Sequence, residues 1–394
     1  MRVLFSTLPG LGHFHPMVPM AQALADSGHN VAFAASRSFC PTVETVGFPS
    51  FPAGVDWDES EAATTHPLVL LDRPDGQVRF FVSLGSQMAD DLVRVADSWF
   101  PDAFVREPSE YGAWMAAERL GLPHITLGIM IRTPGFVLNA FARQEFAELL
   151  SEQGLPPDPK LDGPFRHLYL DFMPPSFVPE GWPQPPTVHH IRPTPFDRSG
   201  NEELPEWTHT LRDRPVVYAT LGTVFNQAPQ VFACILDALA DTDIELIITV
   251  GRNGDPQTFG PQPANVHIER YIPQSQLLGL CDVVVSHGGY GTLMAAMTNG
   301  LPVCCLPFAA DQCFGANRCE ELGVGLSLAS HVAKEEPFPH MGPGDLVPER
   351  LADAVHRLLT EPSFRSAAQV VSHEIAEMRG IDHAVDLMET TVGR

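Results

Sequence analysis

Residues 282–317 read DVVVSHGGYGTLMAAMTNGLPVCCLPFAADQCFGAN, and this stretch decides the fold that we expect for the chain. It opens with residues 283–285, a short β-branched run that is typical of a buried parallel strand. A glycine-rich turn follows at once. Residues 293–299 then have the composition of a helix, and Gly300 is well placed to end it. A strand, a turn and a helix in this order predict part of an open α/β sheet.

The glycine-rich turn has the chemistry of an anion site. Backbone N–H groups at the start of a helix have no partner inside the helix, and the helix dipole favours negative charge there. Gly288, Gly289 and Gly291 let the backbone approach a ligand closely, and His287 adds a side-chain donor. Together with Thr292, these residues predict a binding site for a diphosphate group.

Two polar residues follow the next predicted strand, which covers residues 303–306. Asp311 and Gln312 lie just beyond its carboxyl end, where open α/β sheets bind their ligands. A carboxylate and an amide can accept hydrogen bonds from hydroxyl groups, and the amide can also donate to them. The pair therefore predicts sugar recognition beside the diphosphate site.

Length and charge narrow the classes of protein to consider. At 394 residues the chain is long for one hydrophobic core and predicts two domains. Its net charge of −24 argues against nucleic acid or an anionic membrane as a partner, because both attract basic patches. No apolar stretch approaches the ~18 residues that a spanning helix needs, so stable membrane insertion is not expected.

The cysteines and the N-terminus indicate the cellular compartment. Seven cysteines are present, an odd number, and none forms a C-x-x-C pair. Several lie within apolar runs, where cysteine behaves as a small hydrophobic residue. The apolar part of MRVLFSTLPG is too short for a signal peptide. We therefore expect a reduced, cytoplasmic protein.

The first residues predict a second α/β unit. Strands over residues 3–7 and 30–35 flank a helix over residues 17–26, which is a βαβ opening. The intervening Gly10-x-Gly12 could indicate a dinucleotide-binding fingerprint. The third glycine is missing, however, because position 15 is a histidine, and no acid closes the second strand. A nicotinamide cofactor is therefore not expected.

Two Asp-x-Asp triplets raise the question of a metal. They are Asp56-Trp57-Asp58 and Asp241-Thr242-Asp243, and such a triplet can hold a divalent ion that bridges donor phosphates. The helix terminus at the glycine-rich turn already supplies the same electrostatic stabilisation. We therefore expect no metal and no cofactor.

The motifs of both halves of the chain together resemble those of a known family. Those at 287–292, 300–302 and 311–312, with Asn317, resemble the nucleotide-sugar signature of the GT-B glycosyltransferases of glycosyltransferase family 1. Residues 12–16, GHFHP, match the G-H-x-x-P motif of that family. The likeness is closest to the bacterial branch that decorates natural products such as macrolides, enediynes and glycopeptides. It implies an α/β protein with two Rossmann-like domains facing a central cleft.

The resemblance also implies a division of the chain. An N-terminal acceptor-binding domain would cover residues 1–195, and about 376–394 would pack back on it. Residues 196–212, at the end of a proline-rich segment, would form the linker, and 213–375 the nucleotide-sugar-binding domain. Residues 56–85 are mixed in polarity and predict a loop.

In the family, the histidine of G-H-x-x-P is the general base, which corresponds here to His13. Deprotonating an acceptor hydroxyl needs a group such as imidazole, which titrates in the right range. His15 is the local competitor. The family usually orients its base with an aspartate after a later strand, and the matching position here is Glu107. Asp102 is the alternative acid, although it precedes that strand.

The resemblance supplies the remaining donor contacts. The turn after the first strand of the second half also reaches the phosphates, which makes Thr223 a candidate. An aromatic-x-Pro-Gln unit lies under the nucleobase, which indicates Tyr271 or the backbone of Ile272. Relatives that use UDP commonly have a glutamate that grips the ribose where this chain has Ala295. Because deoxyribose lacks the 2′-hydroxyl group, we expect a dTDP-sugar.

The implied activity is an inverting, metal-independent transfer of a deoxygenated sugar from a dTDP-sugar to a hydroxyl of a small-molecule aglycone. A UDP-sugar-dependent enzyme of the same fold is the first alternative. A nucleotide-sugar epimerase and a non-catalytic nucleotide-sugar-binding helper protein are the others, and the intact G-H-x-x-P motif argues against both. The oligomeric state, including a homodimer, stays open.

Overall fold

The computed structural model describes residues 1–56, 74–197, 202–211, 214–223, 226, 228–309, 311–329, 340–342 and 344–393. It divides the chain into two compact units. The first contains Met1–Phe196 and Met378–Arg394, and the second contains Asp197–Glu377. Each unit is built on its own parallel β-sheet.

The first unit has seven strands and seven α-helices in its described residues. The strands are β1 (Arg2–Ser6), β2 (Asn30–Ala35), β3 (Ser50–Pro52), β4 (Ala103–Arg106), β5 (His124–Gly128), β6 (Leu168–Asp171) and β7 (Val188–His190). The helices are α1 (Leu11–Phe14), α2 (Val18–Asp26), α3 (Cys40–Thr45), α4 (Pro74–Trp99), α5 (Gly112–Leu120), α6 (Gly135–Glu152) and, from the end of the chain, α13 (Ile381–Val392).

The second unit has six strands and six α-helices in its described residues. The strands are β8 (Val216–Thr220), β9 (Glu245–Thr249), β10 (Val266–Glu269), β11 (Val283–Ser286), β12 (Val303–Cys305) and β13 (Gly325–Ser327). The helices are α7 (Pro229–Leu239), α8 (Gln274–Leu277), α9 (Tyr290–Thr298), α10 (Gln312–Glu321), α11 (Pro348–Thr360) and α12 (Pro362–Glu377).

Both sheets reverse their strand order at one point. The first runs β3-β2-β1-β4-β5-β6-β7, and the second runs β10-β9-β8-β11-β12-β13. In the first sheet the chain returns to pair β4 with β1, and in the second it returns to pair β11 with β8. Ligands of open α/β sheets bind beyond the carboxyl ends of the strands at such a point. The loops after these four strands are therefore where a site is expected.

The strands are apolar because both faces of each sheet are covered. Val3, Leu4 and Phe5 of β1 are fully buried, and so are Val283 and Val284 of β11. A parallel sheet with helices on both faces requires such continuous apolar runs, since alternate side chains point to opposite layers. The apolar run at residues 283–285 thus forms one of the two central strands of a buried sheet.

The end of the chain returns to the first unit. Gly380 caps the start of α13 and separates it from α12. Ala384, Val385 and Met388 of α13 are buried, and α13 packs against α2. Glu389 Oε1 lies 2.9 Å from Nε2 of His29, a residue that follows α2. These contacts place the last helix within the first unit.

The prediction of a loop over residues 56–85 is wrong from residue 74 onward. Helix α4 begins at Pro74 and ends at Trp99. The buried residues of this helix include Val82, Met88, Ala89 and Leu92. Their helical spacing was not recognised in the sequence because polar residues lie between them. Residues 57–73, which include Asp58 of the first Asp-x-Asp triplet, lie outside the described residues. Across the described ranges, no helix is both long and apolar enough to cross a bilayer.

Candidate active site

His13 and Glu107 meet beyond the carboxyl ends of β1 and β4. Nδ1 of His13 lies 3.0 Å from Oε1 of Glu107. The Glu107 side chain is fully buried and that of His13 is 21% exposed. The other carboxylate oxygen of Glu107 accepts a hydrogen bond of 2.6 Å from the backbone N–H of Ser109. The carboxylate is therefore held from both sides.

Local packing explains why His13 takes this position. Helix α1 is a single turn that begins after Gly10, and its Phe14 is fully buried. The Phe14 ring makes edge contacts with Phe33 and Phe39 at centroid distances of 5.2 Å and 5.6 Å. Successive residues of a helix point in different directions. Burying Phe14 in the core therefore leaves His13 partly exposed beyond β1, where the strand order of the first sheet reverses.

His15, the alternative base, and Asp102, the alternative acid, lie elsewhere. The ring of His15 packs edge-on against Phe196 at a centroid distance of 5.3 Å. Asp102 precedes β4 and accepts a hydrogen bond of 2.7 Å from the backbone N–H of Arg2. It therefore lies at the opposite end of the strand from Glu107. The structure brings Glu107, and not Asp102, to His13.

Phe81 is a neighbour of His13 that the sequence did not single out. Its ring lies edge-on to the imidazole at a centroid distance of 6.0 Å. Phe81 belongs to α4, in the segment that was predicted as a loop. The helical spacing of the apolar residues in α4 is the signal that could have placed it.

In the second unit, the glycine-rich turn joins β11 to α9. Gly288 has a φ of +82°, a left-handed conformation that favours glycine. Its N–H donates to Ser286 Oγ at 3.1 Å, which closes the turn tightly. Helix α9 begins at Tyr290, three residues before the predicted start, so Gly291 and Thr292 lie in its first turn. That placement gives them the N–H groups of a helix terminus.

His287 is held between two glycines. A Cβ atom on Gly289 would lie 2.3 Å from Nε2 of His287, and one on Gly222 would lie 2.5 Å from its Cε1. Only residues without a side chain leave room for the imidazole there. Burial lowers the pKa of His287 to about 4, so the ring is neutral near pH 7. A neutral imidazole carries one N–H donor.

Thr292 links the glycine-rich turn to the predicted nucleobase segment. Thr292 is 6% exposed, and its hydroxyl accepts a hydrogen bond of 3.1 Å from Nε2 of Gln274. Gln274 starts α8, directly after Ile272 and Pro273. Gln274 is thus a further residue of the site, and its signal was the Pro-Gln step of the motif.

The two nucleobase candidates differ in exposure. Ile272 is 1% exposed, which leaves its backbone as the part that a ligand can contact. The Tyr271 hydroxyl donates to the backbone carbonyl of Asp197. The guanidinium of Arg252 lies 3.9 Å from the centroid of the Tyr271 ring. The phenol ring is therefore already covered on one face by a cation.

Thr223 follows β8, the strand that pairs with β11 where the strand order of the second sheet reverses, so it lies at the same edge of the sheet as the glycine-rich turn. It is exposed, and its backbone carbonyl accepts a hydrogen bond of 3.1 Å from the side-chain amide of Asn226. Gly222, just before it, has a φ of +70°. The left-handed glycine turns the chain away from β8 and past the imidazole of His287.

Asp311 and Gln312 begin α10, and Asp311 is its N-cap residue. Gln312 is 4% exposed, and its Oε1 accepts from the backbone N–H groups of Phe308 at 2.8 Å and Ala309 at 3.1 Å. Because backbone N–H groups can only donate, these bonds fix which end of the amide is oxygen. The NH2 group of Gln312 is left to donate in another direction.

Neither Asp-x-Asp triplet gathers metal ligands among the described residues. Asp243 is 87% exposed and pairs with Nε of Arg214 at 3.0 Å. Within the described ranges, no group of three or more His, Cys, Asp or Glu residues could hold a metal ion.

Comparison with known proteins identifies relatives along the whole chain. Two models, described as the N-terminal and C-terminal domains of erythromycin biosynthesis protein CIII-like proteins, match residues 22–222 and 233–379. The L-demethylnoviosyl transferase of Streptomyces niveus is 32% identical, over 90% of this chain and 93% of its own length. The 4'-demethylrebeccamycin synthase of Lentzea aerocolonigenes is 28% identical, over 99% of each chain.

Solved structures agree with these sequence relatives. The glycosyltransferase VinC, in complex with dTDP, is similar with a TM-score of 0.78 and 25% sequence identity, and the match covers 100% of both chains. The two parallel sheets described above are therefore the two halves of a GT-B fold.

Proposed function

We propose, given that this chain belongs to the erythromycin biosynthesis protein CIII-like family of bacterial GT-B glycosyltransferases, that it moves a deoxysugar from a dTDP-sugar to a hydroxyl of a natural-product aglycone. The family uses nucleotide sugars and small-molecule acceptors. The observation that carries the proposal is the contact of 3.0 Å between His13 and the buried Glu107. It is the arrangement that activates a hydroxyl nucleophile.

His13 acts as the general base in this proposal. With Nδ1 bonded to Glu107, Nε2 is the nitrogen that takes the proton from the acceptor hydroxyl. The acceptor oxygen then forms a bond to the anomeric carbon while the bond from that carbon to the diphosphate oxygen breaks. The carboxylate of Glu107 stabilises the imidazolium that results. A single displacement of this kind inverts the anomeric configuration.

The second unit stabilises the leaving diphosphate without a metal. The first N–H groups of α9 and the dipole of that helix favour the negative charge that develops on the diphosphate. His287 is held in place by two close glycines and remains neutral, so it donates one directed hydrogen bond. Thr223 and Thr292 add hydroxyl groups at the same end of the sheet.

Gln312 and Asp311 recognise the sugar. Since Oε1 of Gln312 is bonded to two backbone N–H groups, the amide presents only N–H donors to a ligand. It therefore selects a sugar position that carries a lone pair, such as a hydroxyl oxygen. The carboxylate of Asp311 accepts from sugar hydroxyl groups.

The donor is proposed to be a dTDP-sugar, and a UDP-sugar is the alternative. Ala295 lies in the second turn of α9 and is half-buried, so its position is open to a ligand but offers no hydrogen bond to a ribose. The dTDP in the complex of VinC, which is 25% identical to this chain, supports the same choice.

The acceptor is proposed to be a small, largely apolar aglycone. The related 4'-demethylrebeccamycin synthase, which is named for a small-molecule product, supports a small acceptor. Phe81 beside His13 offers an apolar surface for such a molecule.

A binding and turnover experiment tests the proposal. Melting temperatures are compared with dTDP, UDP, ADP and NADH, because a ligand that binds the native state raises the melting temperature. Product formation from dTDP-deoxysugars and a panel of aglycones is then followed by mass spectrometry. We expect the largest shift with dTDP, and turnover that is lost in His13→Ala. Nucleotide binding without any turnover would favour the non-catalytic helper instead.

A further inference from the structure

Arg106 and Glu110 are two buried residues that flank the loop segment carrying Glu107, the partner of the candidate catalytic base. We propose that this pair holds the loop 107–111 in the conformation that directs Glu107 to His13, which makes Arg106 a positioning residue for sugar transfer. The inference rests on the proposed role of His13 as general base.

Arg106 is the last residue of β4 and is fully buried. Its guanidinium donates three hydrogen bonds: from Nε to the carbonyl of Glu110, from one terminal nitrogen to the carbonyl of Pro108 at 2.7 Å, and from the other to Thr126 Oγ1 at 2.9 Å. Two acceptors belong to the loop and the third belongs to β5. The rigid fork of a guanidinium fixes all three directions together.

Glu110 holds the other end of the loop. It is 1% exposed, and its carboxylate accepts from the backbone N–H groups of Gly112 at 2.6 Å and Ala113 at 3.1 Å. These are the first N–H groups of α5, so the carboxylate caps that helix and interacts favourably with its dipole. The loop is thus fastened to β5 through Arg106 and to α5 through Glu110.

Glu107 lies inside this fastened segment. The carbonyl groups of Pro108 and Glu110, which bind Arg106, flank Ser109, whose N–H binds the Glu107 carboxylate. A shift of the loop would therefore move the N–H donor of Ser109 and the backbone of Glu107 together. The contact with His13 depends on both.

The charges support the same conclusion. Burial raises the pKa of Glu110 and lowers the pKa of Arg106, while the attraction between the two opposes both shifts. The charge of Glu107 also acts on Arg106. Attraction from the two carboxylates thus favours the charged guanidinium in its buried site, and removing it would take the donor away from the carbonyls of Pro108 and Glu110, which is costly.

Two substitutions test the role of Arg106. Arg106→Lys replaces the planar fork by one amine group, and Thr126→Val removes the acceptor on β5 together with the hydrogen bond of 2.7 Å that the Thr126 hydroxyl donates to the carbonyl of Pro164. Arg166→Met is the matched control, because Arg166 is 56% exposed and pairs with Glu118 at 2.7 Å, outside the loop. The three variants are compared with the wild-type enzyme at a temperature where circular dichroism shows each to be folded.

We expect kcat of Arg106→Lys to fall by about 10-fold to 100-fold, the loss typical of a displaced catalytic group. Thr126→Val should lose less, and Arg166→Met should keep wild-type kcat. The affinity for dTDP, bound by the other unit, should not change. Nitrogen NMR of labelled histidine should show the His13 signal, identified by its absence in His13→Gln, shift from one tautomer to a mixture in Arg106→Lys.

A lower melting temperature with wild-type kcat and an unchanged His13 signal would overturn the inference, because Arg106 would then only stabilise the fold. If Arg106→Lys does not fold, the same comparison of melting temperature, kcat and His13 signal is made with Thr126→Val. Failure of the proposed function is distinguishable: it appears as full turnover in His13→Ala. If Arg106→Lys is fully active while His13→Ala is inactive, only the proposed role of Arg106 is contradicted.

Discussion

Nδ1 of His13 lies 3.0 Å from Oε1 of Glu107, although 94 residues separate them in the chain. They meet because β1 and β4 are neighbours in the first sheet, so the loops after the two strands emerge side by side. The longer side chain of glutamate, where the family usually has aspartate, does not prevent this contact.

Glu107→Gln should reduce kcat by at least about 100-fold, by analogy with amide replacements in other catalytic triads and dyads. The amide NH2 group would face Nδ1 of His13 and favour the tautomer with its proton on Nε2, which cannot act as base. Steady-state kinetics at saturating acceptor measures the effect. Asp102→Asn is the matched control, because Asp102 precedes β4 and its carboxylate accepts from the backbone N–H of Arg2 at the start of β1, away from His13, so its kcat should be unchanged. Equal activity in the two variants would remove Glu107 from the pair.

Gly289→Ala and Gly291→Ala should behave differently. The new methyl group at residue 289 would lie 2.3 Å from the His287 ring, whereas the one at residue 291 has no atom within 4 Å. Gly289→Ala should therefore lower both the melting temperature and the affinity for dTDP. Gly291→Ala should keep or raise the melting temperature, since alanine favours a helix by about 0.5–1 kcal/mol.

Calorimetric titration with dTDP then separates the roles of the two glycines. Gly291→Ala should still weaken dTDP binding, because its methyl group occupies the space proposed for the diphosphate. Wild-type affinity in Gly291→Ala would place the diphosphate elsewhere.

Gln312→Glu should lower kcat/KM for the donor sugar by about 10-fold or more while leaving dTDP affinity intact. A carboxylate can still accept from the N–H groups of Phe308 and Ala309, so the local fold is kept. It has no N–H to offer the sugar. Kinetics with the full dTDP-sugar, set beside titration with dTDP alone, measures the difference. Loss of dTDP affinity would show instead that Gln312 acts through the fold of the loop.

Ala295→Glu should shift the nucleotide preference toward UDP. The side chain lies in α9, is half-buried, and would gain a carboxylate that can accept from ribose hydroxyl groups. The ratio of the UDP and dTDP dissociation constants, measured for the wild type and the variant, reports the change. A wild-type preference for UDP would contradict the proposed donor.

Acid should destabilise the protein through His287. Burial lowers its pKa to about 4 in the folded state, from 6.5 for a free histidine. Between these two values the unfolded chain binds more protons, so the free energy of unfolding falls as the pH falls. The contribution is fully present above pH 6.5 and is lost toward pH 4, at roughly 1 kcal/mol per pH unit.

Urea unfolding of wild type and His287→Gln from pH 4 to 8 measures this contribution as the difference between the two curves. His124, whose pKa burial also lowers to about 4, is present in both proteins and cancels. We expect a constant difference above pH 6.5 that changes in favour of the variant below it. A difference that is constant across the whole range would contradict the assignment.

The motifs of the chain predicted much of the site because they are contiguous. A strand, a glycine-rich turn and a helix at 283–298 form one local unit, and its conformation follows from the glycines and the apolar pattern. Asp311 and Gln312 were placed by the same reasoning at the end of the next strand. The start of α9 was predicted three residues too late, since Tyr290 and the residues after it look like a continuing turn.

The residues that the sequence missed act through distant contacts. Phe81 reaches His13 from α4, and Gln274 reaches Thr292 from α8. Arg106 and Glu110 looked like ordinary charged residues after a strand until the structure showed both to be buried. Burial of a charged side chain depends on what packs around it, and a periodic pattern does not report that.

The sequence by itself determined the α/β class and predicted an anion site at the glycine-rich turn and a candidate base at His13, because each depends on residues that are neighbours in the chain. Only the tertiary structure decided that Glu107 rather than Asp102 meets His13, that His287 requires glycine at two positions 67 residues apart, 222 and 289, and that Arg106 is surrounded by its loop. Parallel strands bring the ends of remote segments to one edge of a sheet, and strand order, which local patterns do not encode, sets which of them meet.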